Sequence, residues 1–288
     1  MKILLTGSSG QVGYELERSL QGLGQVVAVD RSRMDLANLD QVRDVIREVQ
    51  PQLIVNPAAY TAVDKAEAEP ELAHRINAEA PGLMALEAKK LGAALVHYST
   101  DYVFPGNVAG ARLEGDATGP VNVYGASKLA GEQAIAASGV PHLIFRTSWV
   151  YGMRGKNFLL TMLRLAKERD ELRVVADQHG APTWSRTIAD TTALILAQAG
   201  KGGQDPASWW AEHSGVYHLS SQGETTWFGF TQAILEQAGI DCRLLPIASA
   251  EYPVPARRPE FSVLSSRRLM EKFCRLPDWQ EALRLCMK

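Results

Sequence analysis

Through its first half the chain alternates short apolar runs with amphipathic helical stretches, a rhythm that few folds can accommodate. Residues 2–6 read as a strand, 12–23 as a helix and 25–30 as a second strand. Residues 39–49 read as a helix with Val42, Val45, Ile46 and Val49 on one face, and Pro51 stops it ahead of a strand over 53–56. Two further helical stretches lead to a strand over 93–99, a helix over 123–137 and a strand over 142–147. Apolar strands separated by helices predict βαβ units, whose parallel sheet is covered on both faces. The predicted class is α/β, a Rossmann-type doubly wound parallel sheet.

After Thr147 the rhythm becomes irregular. Residues 157–167 and 188–197 read as helices, the second returning to cover the sheet, and 177–183 is rich in Gly, Pro and polar residues. Residues 200–215 read as a surface loop with Trp209 and Trp210 packed beneath it. A strand over 216–220, a helix over 225–238 and a Pro-rich connection over 246–259 follow. Such segments predict a smaller, interleaved α/β substrate-binding domain over the carboxyl edge of the sheet. The expected division is 1–147 for the first domain, with a returning helix near 184–200, and 148–183 with 215–288 for the second.

The charge balance, 30 Lys+Arg against 32 Asp+Glu, contains no basic run that would track a phosphate backbone, so nucleic acid is not an expected partner. No stretch reaches the ~18 apolar residues of a membrane span, and the first residues are too briefly apolar for a secretion signal. Cys242, Cys274 and Cys286 show neither C-x-x-C nor metal-ligand spacing, which fits a reducing cytoplasm.

The segment Thr6-Gly7-Ser8-Ser9-Gly10-Gln11-Val12-Gly13 follows the first strand and opens the first helix. Glycines there let the backbone turn tightly and approach a pyrophosphate, whose charge meets the free N–H groups of the helix terminus. Gly7, Ser9, Gly10, Gln11 and Val12 are therefore candidate dinucleotide contacts. Asp30 lies 17 residues beyond Gly13, close to the ~20 expected for a carboxylate on the adenosine ribose. Arg31 either pairs with the 2′-phosphate of NADP or is a solvated turn residue. Asp35 and Leu36 either pass beside the adenine or begin a helix cap. Cofactor preference between NADPH and NADH stays open on these residues.

Ser99-Thr100-Asp101 ends the fourth strand, and Tyr124-Gly-Ala-Ser-Lys128 begins a helix. A Tyr and a Lys four residues apart share a helix face. Alone that spacing is ordinary, but here it stands 24 residues after a polar strand end and downstream of a dinucleotide loop. Reducing a ketone by hydride builds negative charge on oxygen, which calls for a proton donor and a hydrogen-bond donor. Tyrosine ionises near 10; lowering it by about 2 to 3 units takes roughly 3 to 4 kcal/mol of phenolate stabilisation. The ammonium of Lys128 and a positive nicotinamide ring can supply that, with Thr100 on the carbonyl oxygen.

Together, T-G-x-x-G-x-x-G, S-T-D and Y-x-x-x-K resemble the extended short-chain dehydrogenase/reductases that act on nucleotide sugars. Further matches are N-P-A-A-Y-T-A-V-D-K-A-E from Asn56, Asn77-Ala78, S-T-D-Y-V-F-P-G from Ser99, R-T-S-W-V-Y-G from Arg146 and D-Q-H-G-A-P-T from Asp177. The resemblance runs from residue 1 to about 265 and is densest between 56 and 183. It implies NADPH or NADH as hydride source, dTDP-4-dehydro-6-deoxy-L-mannose as the dTDP-linked 4-keto sugar, and dTDP-L-rhamnose as product. It implies catalytic roles for Thr100, Tyr124 and Lys128, the last also holding ribose hydroxyls. Ala58, Ala59 and Tyr60 would line the cofactor, and Asn77 would support them. Substrate contacts would come from Thr100, Asp101, Tyr102, Tyr124, Trp149, Gln178 and Thr183, with Trp149 covering the sugar.

Sugar 4,6-dehydratases of this fold carry S/T-D-E at the strand end, whereas here Tyr102 follows Asp101, which disfavours dehydration. Pro105 departs from the Asp common in the V-F-x-G turn and predicts a stiffer loop. Some members bind Mg2+ at a dimer contact through acidic residues that include one on the first helix. Glu15 is available there without assigned partners, so a metal role and a homodimer remain open. Two other readings stand beside the leading one: a non-catalytic NADP-binding regulatory subunit, such as the reductase-like partner of methionine adenosyltransferase, and a reductase of another dTDP- or CDP-linked 4-keto sugar.

Overall fold

The computed structural model describes residues 1–200 and 205–288. The chain runs β1 (Lys2–Leu5), α1 (Gln11–Ser19), β2 (Gln25–Ala28), α2 (Leu39–Val49), β3 (Leu53–Asn56), α3 (Val63–Ala66), α4 (Pro70–His74), α5 (Ala80–Leu91), β4 (Ala94–Thr100), α6 (Val123–Ser138) and β5 (His142–Thr147). A π-helical turn, Arg75–Glu79, joins α4 to α5. Then follow β6 (Val150–Tyr151), α7 (Phe158–Glu168), β7 (Glu171–Val175), β8 (His179–Gly180), β9 (Thr183–Trp184), α8 (Ser185–Leu196) and α9 (Pro206–His213). β10 (Gly215–His218), β11 (Thr225–Thr226), α10 (Trp227–Ala238), β12 (Arg243–Ile247), α11 (Arg267–Lys272) and α12 (Trp279–Cys286) complete it.

Six strands form one parallel sheet in the order β10-β5-β4-β3-β1-β2. Successive side chains on a strand face opposite ways. Leu4, Ile54, Leu95 and Ile144 accordingly pack with Val42, Ile46, Met84, Ala88 and Ile135 of α2, α5 and α6. Ile3, Leu5, Leu53, Val55, Val96 and Phe145 pack the other way, against Leu16, Leu20, Ile188, Ile195, Trp209 and Leu269. Burial of each such side chain contributes about 1.5–3 kcal/mol, so both layers demand the near-continuous apolar strands seen in the sequence. The chain goes from β1 to β2 on one side, then crosses β1 to reach β3 on the other. That reversal opens a crevice at the carboxyl ends of the strands.

Helix ends follow local chemistry. The side chains of Asn38, Asn122 and Asn157 accept backbone N–H groups at the starts of α2, α6 and α7. A third apolar cluster, including Tyr151, Leu159, Phe230, Ile234, Trp279 and Leu283, joins α7, α10 and α12 beyond the main sheet. It is edged by three two-stranded pairings: β12 with β7, β11 with β8 and β6 with β9.

Three sequence expectations change. The run read as a loop over 200–215 contains α9, capped by Asp205 with Pro206 in its first turn; residues 201–204 lie outside the described residues. Trp209 is buried and Trp210 packs on the same core. The strand expected over 216–220 in the second region is β10, which pairs with β5 and extends the first sheet. Pro246 belongs to β12, which pairs only with β7, so an edge position tolerates its missing N–H.

Candidate active site

A cleft of about 820 Å³ opens at the crevice. Its walls include Gly7, Ser9, Gly10, Gln11 and Val12 from the loop after β1, Arg31, Asp35 and Leu36 after β2, and Ala58, Ala59 and Tyr60 after β3. Thr100, Asp101 and Tyr102 after β4, Tyr124 and Lys128 on α6, and Trp149 after β5 line the same cleft.

The glycine loop is shaped for close approach. Gly7 has φ +57°, and a Cβ there would meet the Ala58 backbone at 3.0 Å. A Cβ on Gly13 would stand 2.1 Å from the Gly7 carbonyl oxygen, so only glycine lets α1 start beneath the turn. Arg31 pairs with Asp35 at 3.2 Å on the rim, its guanidinium mostly in solvent. Asp30 lies outside these walls; its exposed carboxylate accepts from the Ser32 amide and hydroxyl, which hold it below the usual carboxylate range.

The wall after β3 is held from behind. Asn77, fully buried in the π-helical turn, donates to the Tyr60 carbonyl at 3.0 Å, accepts from the Tyr60 amide at 2.8 Å and donates to Ser127 Oγ at 2.9 Å. It thereby ties the Tyr60 segment to α6. The Tyr60 hydroxyl donates to Glu69 at 2.6 Å.

At the strand end, Thr100 Oγ1 donates to Asp101 Oδ1 at 2.9 Å and accepts from the Tyr102 amide at 3.2 Å. Ser148 Oγ donates to the other Asp101 oxygen at 3.1 Å. Burial pushes the Asp101 carboxyl up to about 6, against the lowering effect of the Ser262, Thr100 and Ser148 hydroxyls. Tyr124 is pushed up to about 12 by burial, partly offset by the Thr100 hydroxyl. Burial moves the Lys128 ammonium down to about 8, with Glu132 opposing. Lys128 Nζ donates to the Tyr98 carbonyl at 2.6 Å and meets His97 Nε2 at 3.1 Å. The chain's own residues thus leave Tyr124 above its ordinary value, so the lowering expected from Lys128 needs a further positive charge in the cleft.

Trp149 adopts φ +46°, a left-handed placement that costs a bulky residue on the order of 1–3 kcal/mol. It stacks on Trp227 with centroids 3.5 Å apart and planes 5° from parallel. Gly180 makes room, since a Cβ there would stand 2.3 Å from the Trp149 ring. Gln178 sits behind this pair, accepting from Trp227 Nε1 at 3.1 Å, and lies outside the cleft walls. Thr183 is fully buried outside them too, its hydroxyl within 3.2 Å of Ser220 Oγ and accepting from the Ser221 amide. Gln178, Thr183 and Asp30 thus lie outside the cleft walls, bonded to neighbouring residues of the chain.

Trp227 and Asn157 line the cleft without having been singled out in the sequence. Asn157 Nδ2 donates to Gln11 Oε1 at 2.8 Å, joining α7 to the glycine loop. The signals were present as helix openings, Asn157 before α7 and Thr226-Trp227 at α10, but a cap position says nothing about which cavity it borders.

Glu15, the first-helix carboxylate for which a metal role was left open, lies on α1. Its carboxylate pairs with Arg186 at 3.2 Å, and among the described residues no group of three or more His, Cys, Asp or Glu side chains could hold a metal ion. Pro105 leads into Gly106 at φ +66°, where a Cβ would strike Pro259.

Among the described residues no helix is long and apolar enough to cross a membrane. The family model described as RmlD substrate binding domain matches residues 1–288. A dTDP-4-dehydrorhamnose reductase of Burkholderia thailandensis is 51% identical, covering 100% of this chain and 98% of that protein. One from Escherichia coli K12 is 47% identical over 97% of this chain and 95% of its own length. The crystal structure of dTDP-4-dehydrorhamnose reductase from Bacillus anthracis in complex with NADP superposes with a TM-score of 0.91 at 36% identity, covering 99% of this chain and 98% of that one.

Proposed function

The chain belongs to the RmlD substrate binding domain family and is an oxidoreductase, and on that premise we propose that it reduces the 4-keto group of dTDP-4-dehydro-6-deoxy-L-mannose to give dTDP-L-rhamnose, the last step of making that nucleotide sugar. The observation that carries the reading is the convergence of the glycine loop with Thr100, Tyr124 and Lys128 on one cleft.

The residues present suit NADPH. The glycine loop offers free N–H groups and close approach for the pyrophosphate, Ala58, Ala59 and Tyr60 form the facing wall, and Arg31 stands on the rim where it can leave Asp35 for a 2′-phosphate. NADH, lacking that phosphate, is the weaker donor on this reading. Bound there, the reduced nicotinamide supplies the hydride.

Tyr124 holds the proton that the substrate oxygen takes as it becomes a hydroxyl, delivered from Oη. Thr100, placed by the Tyr102 amide, turns its hydroxyl hydrogen from Asp101 to the same oxygen when the sugar binds. The Lys128 ammonium adds positive charge one helical turn from Tyr124 and holds ribose hydroxyls. Trp149, braced by Trp227, covers the sugar and keeps water from the reacting carbon. Asp101 has no second carboxylate beside it, only Tyr102, so the acid and base pair needed to eliminate water is lacking.

Mixing the purified protein with the keto sugar and NADPH bleaches the reduced-nicotinamide absorbance. Tyr124→Phe lowers kcat by about 10²–10⁴, the usual contribution of a positioned acid. Absence of cofactor oxidation by the wild type, with the same sugar turned over by a relative, refutes the assignment.

A further inference from the structure

A row of buried polar groups crosses the sheet directly beneath the cleft. Thr6 Oγ1 lies 2.6 Å from the Asn56 side-chain oxygen, the Asn56 amide nitrogen 3.1 Å from His97 Nδ1, and His97 Nε2 3.1 Å from Lys128 Nζ. The four side chains come from the residue after β1, the last residue of β3, the middle of β4 and α6, and each residue is at most 1 % exposed. His97 shares its strand face with Leu95, the face covered by α6, so the register of β4 alone delivers the imidazole to Lys128. A histidine in the middle of an otherwise apolar central strand is costly unless both ring nitrogens are used.

Donor accounting restricts how they are used. A lysine ammonium can only donate, so His97 Nε2 must accept from it. A neutral imidazole then carries its hydrogen on Nδ1, and that N–H needs an acceptor. The Asn56 main-chain carbonyl is one such acceptor, and the Asn56 side-chain amide is a second with its carbonyl turned toward His97, an orientation whose atoms occupy the same places. The amide NH2 then faces Thr6, whose hydroxyl accepts. With the amide the other way round, one imidazole would face two donors, which is balanced if His97 carries its hydrogen on Nε2 and Lys128 is a neutral amine.

We propose that His97 is a positioning residue for Lys128: a neutral imidazole with its hydrogen on Nδ1, locked by Asn56 and Thr6, accepts from the ammonium through Nε2 and holds it beneath the cleft in its charged form. The inference rests on the reading of Lys128 as part of the reductase machinery. Its geometry stands apart from that reading. Burial keeps His97 well below its ordinary value, and the neighbouring Lys128 charge acts in the same direction. The other titratable or charged groups facing this pair are engaged: Glu132 on α6 is paired with Arg146 of β5 at 2.7 Å, the Tyr98 hydroxyl lies 2.8 Å from Thr192 on α8, and Tyr124 lies a turn away on α6. Among the described residues Lys128 therefore has only the Tyr98 carbonyl and His97 as acceptors.

The test has two arms on the full-length protein. In histidine-labelled wild type, long-range 15N–1H NMR assigns the His97 tautomer; Nδ1–H with a bare Nε2, unchanged from about pH 6 to 8, is expected. An Nε2–H tautomer or an imidazolium overturns the proposal, whatever the enzyme's substrate. In the second arm, His97→Leu removes the acceptor while His97→Gln keeps one in reach. The alkaline limb of the kcat profile is expected to move about one unit toward acid in the leucine variant, a tenfold change in the Lys128 equilibrium, and to return in the glutamine variant. An unmoved limb in folded His97→Leu overturns the proposal, and if that variant fails to fold the NMR arm decides. Failure of the wild type to reduce the keto sugar refutes the proposed function alone, because the tautomer is read without turnover.

Discussion

Replacing Asp101 by Asn separates the cost of burying this carboxylate from its local hydrogen bonds. The folded protein raises the group from 3.8 to about 6, by burial first. At about 1.36 kcal/mol per unit, an ionised Asp101 costs about 3 kcal/mol of stability. Below about pH 3.8 the group is protonated in both folded and unfolded chains and adds nothing. As pH rises from there to about 6, the unfolded chain has released a proton that the folded chain still holds, so stability falls through this window. Above it the full cost is present. Between about pH 4.5 and 7.5, roughly 2 of the 3 kcal/mol develops. Asparagine does not titrate, so the lost bonds to Thr100 and Ser148 shift its curve by a constant, whereas the pH-dependent part disappears. Urea denaturation of both proteins across that range is expected to show Asp101→Asn gaining about 2 kcal/mol relative to wild type on going from acid to neutral. Parallel stability curves refute the claim that this carboxylate is held under strain.

Gly13→Ala drives a methyl to 2.1 Å from the Gly7 carbonyl, and NADPH affinity measured by fluorescence titration is expected to fall at least tenfold; unchanged binding excludes the close helix–turn packing. Arg31→Ala is expected to raise KM for NADPH by about tenfold while leaving NADH nearly unchanged, and an equal effect on both removes Arg31 from 2′-phosphate recognition. Glu132→Gln breaks a bidentate ion pair in which both side chains are 5% exposed, leaving Arg146 charged and unpaired; chemical denaturation should show a loss of about 3–5 kcal/mol, and a loss under 1 kcal/mol contradicts the pairing.

The first half of the fold was legible because each central strand is buried on both faces and must spell that burial locally. α2 over Leu39–Val49, β3 over Leu53–Asn56 and β5 over His142–Thr147 fall where periodicity put them. The loop, strand-end and helix motifs were legible for a related reason, since each sits within a few residues of an element boundary. What escaped was non-local. β6, β8, β9 and β11 are two residues long and exist through partners roughly 30 to 50 positions away, which no window of sequence contains. α9 carried local signals, Asp205 and Pro206, but its Gly-rich approach and polar composition outweighed them.

The same distinction explains why individual site residues were harder to read than the site. Thr183 and Gln178 stand in a motif rich in loop residues, and their bonds are made across the chain: Thr183 with Ser220 and Ser221, and Gln178 with the ring of Trp227. Trp227, from an unremarked helix start, holds Trp149 in a backbone conformation that a bulky residue rarely adopts. Gly180 completes that arrangement by what it lacks, since any side chain there would displace the Trp149 indole. The Trp149–Trp227 stack is thus built from three segments, after β5, at β8 and at α10, none of which spells it alone. β10 gives that dispersion a physical reason. By returning to pair with β5 it anchors the segment leading to α10 to the same strand that leads to Trp149, so the Trp149 stack and the Thr100 strand end hang on neighbouring strands of one sheet.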